Sequence, residues 1–137
     1  MITFYQSTHK TIISQIDMQC VIETTLRMAK KSIHSDVSVH CIGDIKMTRL
    51  NKQYRGKAYP TDVLSFPLGE NNDIGDLFLC IPQIIRQAKQ FGVSAKEECV
   101  RMLSHGTLHL IGYDHMTSEE SKKMFDLQEN IVKKCLS

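Results

Sequence analysis

Hydrophobic and polar residues alternate along the chain in two patterns, one with helical and one with extended spacing. The first apolar positions predict a short extended start and then a long helix; they are Ile2 and Phe4 for the start, and Ile13, Ile16, Cys20, Val21, Ile22 and Met28 for the helix. Residues 36–43, DVSVHCIG, place apolar side chains at every second position. That alternation predicts a strand, because successive side chains of a strand point to opposite faces of its sheet.

A second helix is predicted directly after this strand. Asp44 stands where an N-cap is expected, and Gly56 offers the left-handed conformation that often ends a helix. The apolar residues between them share one face of the predicted helix: Ile45, Met47, Leu50 and Tyr54. Residues 62–67 and 73–81 are short, rich in β-forming side chains and bounded by proline, glycine and asparagine, so they predict two more strands.

Three further helices are predicted in the rest of the chain. Their boundary signals are Pro82 and Gly92 for the first, Ser94 with Glu97 for the second, and Thr117 with Glu120 for the third. The apolar residues expected to face inward are Val100, Leu103 and Leu110 on the second, and Met124, Leu127 and Ile131 on the third. The order of elements predicts an α+β domain in which helices pack on a small mixed sheet.

The composition fits one folded domain that spans residues 1–137. The chain has 137 residues, of which 42% are hydrophobic, which is enough for one core and too little for two. Its formal net charge is only +2, so its overall field is too weak to bind polyanions in general. Any affinity for nucleic acid must therefore come from a local cluster of basic residues.

The cysteines and the absence of targeting signals predict a cytoplasmic protein. The five cysteines are scattered and form no C-x-x-C pair, which is typical of a reducing compartment and of buried free thiols; they are Cys20, Cys41, Cys80, Cys99 and Cys135. The first ten residues, MITFYQSTHK, have no basic segment followed by an apolar run, and no window approaches ~18 uninterrupted apolar residues. The sequence predicts neither secretion nor membrane insertion.

Half of the six histidines lie in one segment, HGTLHLIGYDH at residues 105–115. His105 and His109 are four residues apart on a predicted helix, so both imidazoles leave the same face, about 40° apart around the axis and about 6 Å apart along it. Gly112 can adopt the positive φ that ends the helix. The chain can then fold back and bring His115 over the first two histidines.

Three converging imidazoles predict a metal site. Three neutral imidazoles with a fourth position left to water form the ligand set of a catalytic rather than a structural zinc site. Imidazole suits Zn²⁺ better than Ca²⁺ or Mg²⁺, although Ni²⁺, Co²⁺ or Cu²⁺ can occupy such a site in a purified sample. A lone histidine is more often an ordinary hydrogen-bonded residue, and we interpret the other three in that way: His9, His34 and His40.

One position of the histidine segment argues against a peptidase. The spacing coincides with the metalloprotease signature H-E-x-x-H-x-x-G-x-x-H, but Gly106 stands where that signature has its glutamate general base. Peptide hydrolysis through zinc needs a carboxylate that takes the proton from the attacking water, so a peptidase is the weaker hypothesis. The motif places none of the other nearby carboxylates for that role: Glu97, Glu98, Asp114 and Glu119.

A single basic cluster lies on the predicted second helix and just after it. Its members are Lys46, Arg49, Lys52, Arg55 and Lys57. The simplest interpretation of the first three is a solvated helix face. Arg55 differs because it lies at the helix end, and its planar guanidinium can bind two phosphate oxygens at any working pH. With a zinc ion it would suit cleavage of a phosphodiester, in which negative charge grows on the phosphoryl oxygens.

Several motifs together resemble the bacterial YbeY family of zinc-dependent endoribonucleases that act in ribosomal RNA maturation. They are HGTLHLIGYDH, YRGKAYPTDVLSFP, IGDLFLC and MFDLQENIV, in an order and spacing that match the family from about residue 36 to near the end. The resemblance implies a zincin-like α+β fold, with His105, His109 and His115 as zinc ligands and Arg55 as the arginine required for RNA cleavage.

The same resemblance offers supporting residues and one departure. The segment Pro60-Thr61-Asp62 and Asp114 match family positions, and we expect them only to support the site, since polar groups commonly orient ligating histidines. The departure is Ser104, where an apolar residue is expected.

The leading hypothesis is a zinc-dependent endoribonuclease specific for single strands, acting in ribosomal RNA processing and ribosome quality control. Loops and ends of RNA fit better than duplexes, because a shallow groove reaches splayed single strands more readily. The implied partner is ribosomal RNA, with the ribosome or its proteins as further candidates and no membrane. The alternatives are a non-enzymatic assembly factor that zinc stabilises, and a zinc hydrolase of peptides or other esters.

Overall fold

The computed structural model describes residues 1–7, 12–70 and 72–137. Its elements in chain order are β1 (Ile2–Gln6), α1 (Gln15–Met28), β2 (Asp36–Ile42), α2 (Asp44–Arg55), β3 (Val63–Glu70), β4 (Asp73–Cys80), α3 (Ile81–Phe91), α4 (Ala95–Leu110) and α5 (Ser118–Leu136). This is the order that the hydrophobic pattern predicts, and the α+β class is confirmed. His9, interpreted above as an ordinary residue, lies outside the described residues.

The four strands form one mixed sheet in the order β1-β2-β4-β3. β1 pairs with β2 and β2 with β4 in parallel, whereas β3 pairs antiparallel with β4 and occupies one edge of the sheet. α4 packs against both β3 and β4. The helix that carries His105 and His109 is thereby held beside the β3 edge.

The main core lies between one face of the sheet and the helices. Side chains that alternate along β2 and β4 meet α1 and α4 there; the fully buried ones include Val39, Leu77, Leu79, Ile22, Leu26 and Leu103. A smaller cluster on the opposite face lies under α2 and contains Ile42, Met47, Leu64 and Cys80. A third cluster joins α4 to α5 through Leu108, Met124 and Ile131. α4 contributes to two of these three clusters, so its position is strongly fixed.

Most of the expected helix boundaries are confirmed. The Ser94 hydroxyl accepts a hydrogen bond from the Glu97 N–H at 3.0 Å, and Thr117 does the same for Glu120 at 3.1 Å. Each bond satisfies one of the N–H groups that the first turn of a helix leaves without a partner. At the other end, α2 stops at Gly56 and α3 at Gly92, each left-handed, and Pro82 lies in the first turn of α3.

Two predictions about α2 are wrong. Its N-cap is Gly43, and the carboxylate of Asp44 instead pairs with the Arg86 guanidinium at 2.7 Å. Ile45 and Tyr54 were expected to face inward, but they are 73% and 58% exposed. The helix is rotated because Asn51 is buried and donates from its side-chain amide to the Tyr59 carbonyl at 2.8 Å.

The buried face of α1 also differs from the expected one. Ile16 is 80% exposed and Cys20 is exposed as well. The inward residues have the i, i+3, i+4 spacing of a helix, but they form a different face from the predicted one. They are Met18, Val21, Ile22, Thr25 and Leu26. Ile13 precedes the helix but still reaches the core.

The five cysteines differ in how deeply they are buried. Cys41, Cys80 and Cys99 are buried, as expected, whereas Cys20 is exposed and Cys135 is partly buried, and all five are free thiols. Among the residues that the structure describes, no helix is long and apolar enough to cross a bilayer.

Candidate metal centre

The structure brings the three predicted histidines together. His105 and His109 extend from the last two turns of α4, and Gly112 then adopts a φ of +102°, which turns the chain back. His115 follows on that returning segment. One ring nitrogen of each histidine lies within 4.8 Å of the others. The group could therefore hold one metal ion.

Two of the imidazoles are oriented by hydrogen bonds at Nδ1. His109 Nδ1 lies 2.9 Å from the carbonyl oxygen of Tyr113, and His105 Nδ1 lies 2.8 Å from Oε1 of Gln128. Both partners are acceptors, so each Nδ1 carries the proton and donates it. In the neutral ring the other nitrogen, Nε2, then presents a lone pair. A metal-binding histidine usually donates a hydrogen bond of this kind from the ring nitrogen that does not bind the metal.

The resulting donor set fits a cation. Nε2 of His105 and Nε2 of His109 lie 3.2 Å apart. A hydrogen bond between them would require a second proton on one ring, and otherwise two lone pairs face each other. A divalent ion among the three rings removes that repulsion and uses each lone pair as a ligand. The arrangement thus matches a three-imidazole site.

Burial favours the neutral, metal-binding form of His109. Burial lowers the pKa of His109, and the neighbouring His105 lowers it further, while the hydrogen bond to the Tyr113 carbonyl opposes both effects. Only the neutral imidazole has a lone pair for a metal. His115 is exposed, so the third imidazole lies at the solvent side of the group.

The histidines line a cavity of about 610 Å³ that other predicted residues share. Arg55 at the end of α2 lies on its wall, as do Thr61 and Asp62 just before β3, and Asp114 from the turn after α4. Arg55 is exposed. The cavity therefore combines three histidines that could hold a metal ion with the cationic side chain of Arg55.

A family model and individual relatives match this chain. The family model described as Endoribonuclease YbeY matches residues 2–136. The chain belongs to this family. The resemblance drawn from the motifs is confirmed, and the match also includes the first thirty-odd residues, which the motifs did not cover.

Individual relatives support the same assignment to the YbeY family. The protein named Endoribonuclease YbeY of Sulfurihydrogenibium sp. (strain YO3AOP1) is 43% identical over 105 residues, which are 72% of this chain and 69% of that protein. The one of Bacillus licheniformis is 39% identical over 111 residues, with 72% and 70% covered. The solution structure of TM1509 from Thermotoga maritima has a TM-score of 0.70 and 30% identity, and the match covers 98% of this chain and 89% of that one.

In this YbeY family chain, Gly106 lies on the side of α4 that presses on the sheet. Its carbonyl accepts a hydrogen bond from the Ser65 hydroxyl at 3.1 Å. A Cβ placed on Gly106 would stand 2.8 Å from Leu77 Cδ2 and 3.1 Å from Val63 Cγ2, so at least the Leu77 side chain would have to move. The position that carries the general base in the metalloprotease signature is thus packed against core side chains, which would have to shift to admit even a Cβ.

The two carboxylates expected to support the site accept hydrogen bonds from residues next to them in the chain, and Asp62 also accepts one from the Gln87 side chain at 3.1 Å. Oδ1 of Asp62 accepts from the Val63 N–H at 2.7 Å and from the Thr61 hydroxyl at 3.2 Å. Oδ1 of Asp114 accepts from the His115 N–H at 2.8 Å. These contacts shape the segments on both sides of the cavity. The hydrogen bonds to the imidazoles themselves come from elsewhere.

The basic residues of α2 fall into two groups, as the sequence predicts: those on a solvated helix face, and Arg55 at the histidine cavity. Lys46, Arg49 and Lys52 are exposed and do not line the histidine cavity, which fits a solvated helix face. Lys57 is exposed too. Arg55 alone in this cluster borders the cavity.

Gln128 contacts one of the three histidines, and the sequence analysis assigned it no role. It lies on α5 between Met124 and Ile131 at the spacing of the buried apolar face, and it is only 6% exposed. A glutamine inside an apolar helical stripe is a readable signal, because a buried polar side chain needs a partner. That signal points to a buried contact, although the sequence does not name His105 as its partner.

Proposed function

We propose that this protein is a metal-dependent endoribonuclease, with zinc as its native ion, that cuts single-stranded regions of ribosomal RNA during maturation and ribosome quality control. One observation carries the proposal: three imidazoles converge within 4.8 Å in a cavity that Arg55 also lines. The family supports it, since the relatives compared above are named as endoribonucleases.

His105, His109 and His115 would hold the ion. Zinc suits this set because imidazole is a borderline-soft ligand and three protein ligands leave one position for water or substrate. A bound divalent ion supplies a Lewis acid and lowers the pKa of water that it coordinates. The protein's own contribution is to orient the two half-buried rings through Tyr113 and Gln128.

Arg55 would bind the phosphate that is cut. Its guanidinium keeps its charge at every working pH and offers paired N–H donors to two oxygens. Negative charge grows on the phosphoryl oxygens in the transition state, so a fixed cation on the cavity wall stabilises that state more than the ground state. Loss of one such donor typically costs about 10²–10³-fold in rate.

Single-stranded RNA is the expected substrate because the cavity is open to solvent on the His115 side and has exposed basic residues nearby. Lys57 and the outer face of α2 carry charges that can follow a phosphate backbone. A single strand can bend one phosphate into the cavity, whereas a duplex holds its phosphates on a stiff outer surface.

A peptidase role is disfavoured by the packing of Gly106. Gly106 offers no carboxylate to take a proton from water, and one placed there would have to displace Leu77 and Val63 in the core. The cleavage of a phosphodiester depends less on such a base than on charge stabilisation, which the ion and Arg55 would supply.

The proposal is tested by cleavage of a structured ribosomal RNA fragment in buffer of defined metal content. We expect Arg55→Ala to lower the rate by about 10²–10³-fold while zinc content stays at one ion per chain. We expect His109→Ala to lower both the rate and the zinc content, measured by elemental analysis. Cuts should map to loops and ends rather than to helices.

Two variants serve as matched controls. Arg27→Ala removes an exposed arginine from the end of α1, and His34→Ala removes an exposed histidine outside the site. Both should cleave at the parental rate. If the Arg55 and His109 variants also cut at that rate, the activity comes from a contaminating nuclease and the proposal is wrong. Tight RNA binding without turnover by the zinc-loaded protein would instead indicate an assembly factor.

A further inference from the structure

Gln128 connects α5 to the metal-binding face of α4. Its Oε1 accepts the Nδ1 proton of His105 at 2.8 Å, across 23 residues of sequence. The side chain is 6% exposed, so water does not compete for this bond. His105 therefore takes its ring orientation from a different helix.

The direction of the Gln128 amide is itself fixed. Its Nε2 donates to Oε2 of Glu129 at 3.0 Å, and a carboxylate only accepts. A reversed amide would turn its oxygen towards the Glu129 carboxylate, where two acceptors repel each other and the hydrogen bond is lost. The Gln128 oxygen must then face His105, which selects the Nδ1–H form of that ring and leaves the lone pair on Nε2.

Glu129 is held in turn by Arg101, which lies one helical turn before His105 on α4. Arg101 donates from Nε and from a terminal nitrogen to the two oxygens of Glu129, each at 3.0 Å. The same guanidinium donates to Glu98 at 3.0 Å and to Glu97 at 3.1 Å. Paired contacts of this kind fix an arginine in one geometry. The bonds run from α4 to α5 and back to α4, forming a closed loop.

We propose that Gln128 is a positioning residue of the metal site: backed by Glu129 and Arg101, it locks His105 in the form that presents Nε2 to the ion. The inference rests on the proposed function, because it assigns Gln128 a role at the metal site proposed there. The hydrogen bonds that orient His105 form without an ion, so the Nδ1–H form of its ring should be detectable in the metal-free chain.

The first test determines which nitrogen of the His105 imidazole carries the proton. Long-range ¹H–¹⁵N spectra of the metal-free full chain at pH 8 distinguish Nδ1–H from Nε2–H histidine. We expect His105 of the parent to be in the Nδ1–H form, and Gln128→Met to release it into a mixture or into the Nε2–H form. An Nε2–H ring in the parent, or an unchanged Nδ1–H ring in Gln128→Met, overturns the inference.

A second variant separates the acceptor from the shape of the side chain. Gln128→Glu keeps an oxygen for the Nδ1 proton, although its carboxylate lies beside Glu129 and should lower the melting temperature. We expect it to retain the Nδ1–H form that Gln128→Met loses. If both variants release the ring, packing rather than the accepted hydrogen bond positions His105 and the inference is wrong.

The third test measures zinc affinity by competition with a chromophoric chelator. Loss of a partner behind a ligating histidine typically weakens metal binding about 10–100-fold, so we expect that loss for Gln128→Met. Asp126→Asn is the matched control, since it breaks the exposed ion pair of Asp126 with Lys122 on the same helix and should leave affinity unchanged.

The outcomes keep the two proposals apart. If the parent binds no zinc, the proposed function loses its metal, while the ring spectra still decide whether Gln128 orients His105. If the parent binds zinc and Gln128→Met binds it as tightly, the positioning role fails and the proposed function stands.

Discussion

Gly106 in α4 lies so close to Leu77 in β4 that a Cβ on the glycine would stand 2.8 Å from the leucine Cδ2. Leu77 is fully buried in the main core. At this approach of helix to sheet, a side chain at residue 106 therefore fits only if core side chains such as that of Leu77 shift. The same approach also sets how near His105 and His109 lie to the edge of β3.

The first prediction concerns Gly106→Ala. Alanine gains about 1 kcal/mol over glycine in a helix interior, but overpacking a core typically costs about 1–3 kcal/mol. Because the neighbours are core side chains and the clash is severe, we expect a net loss of about 1 kcal/mol in the free energy of unfolding, measured by urea denaturation.

A double-mutant cycle checks that Leu77 causes this loss. Leu77→Val lacks the δ carbons that collide, so Gly106→Ala should be less harmful in that background. Leu79→Val is the matched control, since Leu79 is equally buried on the same face of β4 but is not among the atoms that a Cβ on Gly106 would meet. Its effect should add to that of Gly106→Ala, and equal coupling with both leucines would contradict the explanation.

The second prediction separates backbone strain from metal binding. Gly112 has a φ of +102°, and a Cβ added there would have no other atom within 4 Å, so Gly112→Ala is opposed by strain alone, about 1–3 kcal/mol. Gly92→Ala is the control, because Gly92 has a φ of +69° at the end of α3, also in open space. Both should lower the melting temperature.

If the three histidines hold zinc as proposed, only Gly112→Ala should weaken its binding, because Gly112 makes the turn that returns His115 to the other two. Competition with a chelator measures this in both variants. Equal zinc affinity of Gly112→Ala and the parent would mean that the turn does not set the position of His115.

The local features of this fold could be predicted because they depend on helical spacing and on capping. His105 and His109 share a face since the period of a helix requires it, and the Ser94 and Thr117 caps follow from bonds within four residues. The separation of Arg55 from the rest of its basic cluster also followed from its place at a helix end.

Features set by distant contacts could not be predicted. The rotation of α2 follows from the hydrogen bond between Asn51 and the Tyr59 carbonyl. Hydrophobic periodicity takes no account of such a bond, so it predicts an inward position for the apolar Tyr54. The strand order β1-β2-β4-β3 depends on which edges meet in space. Gln128 could be recognised as an oddity of α5, but its partner His105 is known only once α4 and α5 are packed together.

The third prediction is that Ser104→Ala stabilises the protein. Ser104 is fully buried in α4, and its hydroxyl has no hydrogen-bond partner among the described residues. An unsatisfied buried hydroxyl costs roughly 1–3 kcal/mol, and alanine is the better helix former. We expect a gain of about 1 kcal/mol in the free energy of unfolding by urea denaturation.

Thr107→Val is the control for Ser104→Ala. Thr107 is equally buried on α4, but its hydroxyl donates to the Leu103 carbonyl at 2.7 Å. Removing that satisfied hydroxyl should bring no gain. A loss of stability in Ser104→Ala would show that its hydroxyl has a partner after all.

The fourth prediction contrasts two arginines. Arg101→Met leaves Glu98, whose side chain is 2% exposed, without the cation that bonds it at 3.0 Å. Breaking a buried pair from one side typically costs about 3–5 kcal/mol. Arg86→Met breaks a pair with Asp44 in which the side chains are 50% and 40% exposed, and such pairs contribute at most about 1 kcal/mol. Urea denaturation should show a several-fold larger loss for Arg101→Met, and similar losses would contradict the assignment of Glu98 as a buried charge.

The fifth prediction follows from the buried thiols. Burial raises the pKa of Cys41 to about 11 and those of Cys80 and Cys99 to about 12, from an unperturbed value of 9.0. Above pH 9 the unfolded chain releases thiol protons that the native chain keeps, so the free energy of unfolding should fall as the pH rises from 9 towards 11.

Replacing a single thiol measures its share of that pH dependence. Cys99→Ala removes one such proton, so its unfolding free energy should fall less steeply between pH 9 and 11 than that of the parent, by up to about 1.4 kcal/mol per pH unit. The small cavity left by alanine shifts the whole curve without changing its slope. Cys20→Ala is the control because Cys20 is exposed and its thiol meets water in both states. If the curve of Cys99→Ala runs as steeply as those of the parent and of Cys20→Ala, the Cys99 thiol ionises as readily in the folded protein as in the unfolded chain.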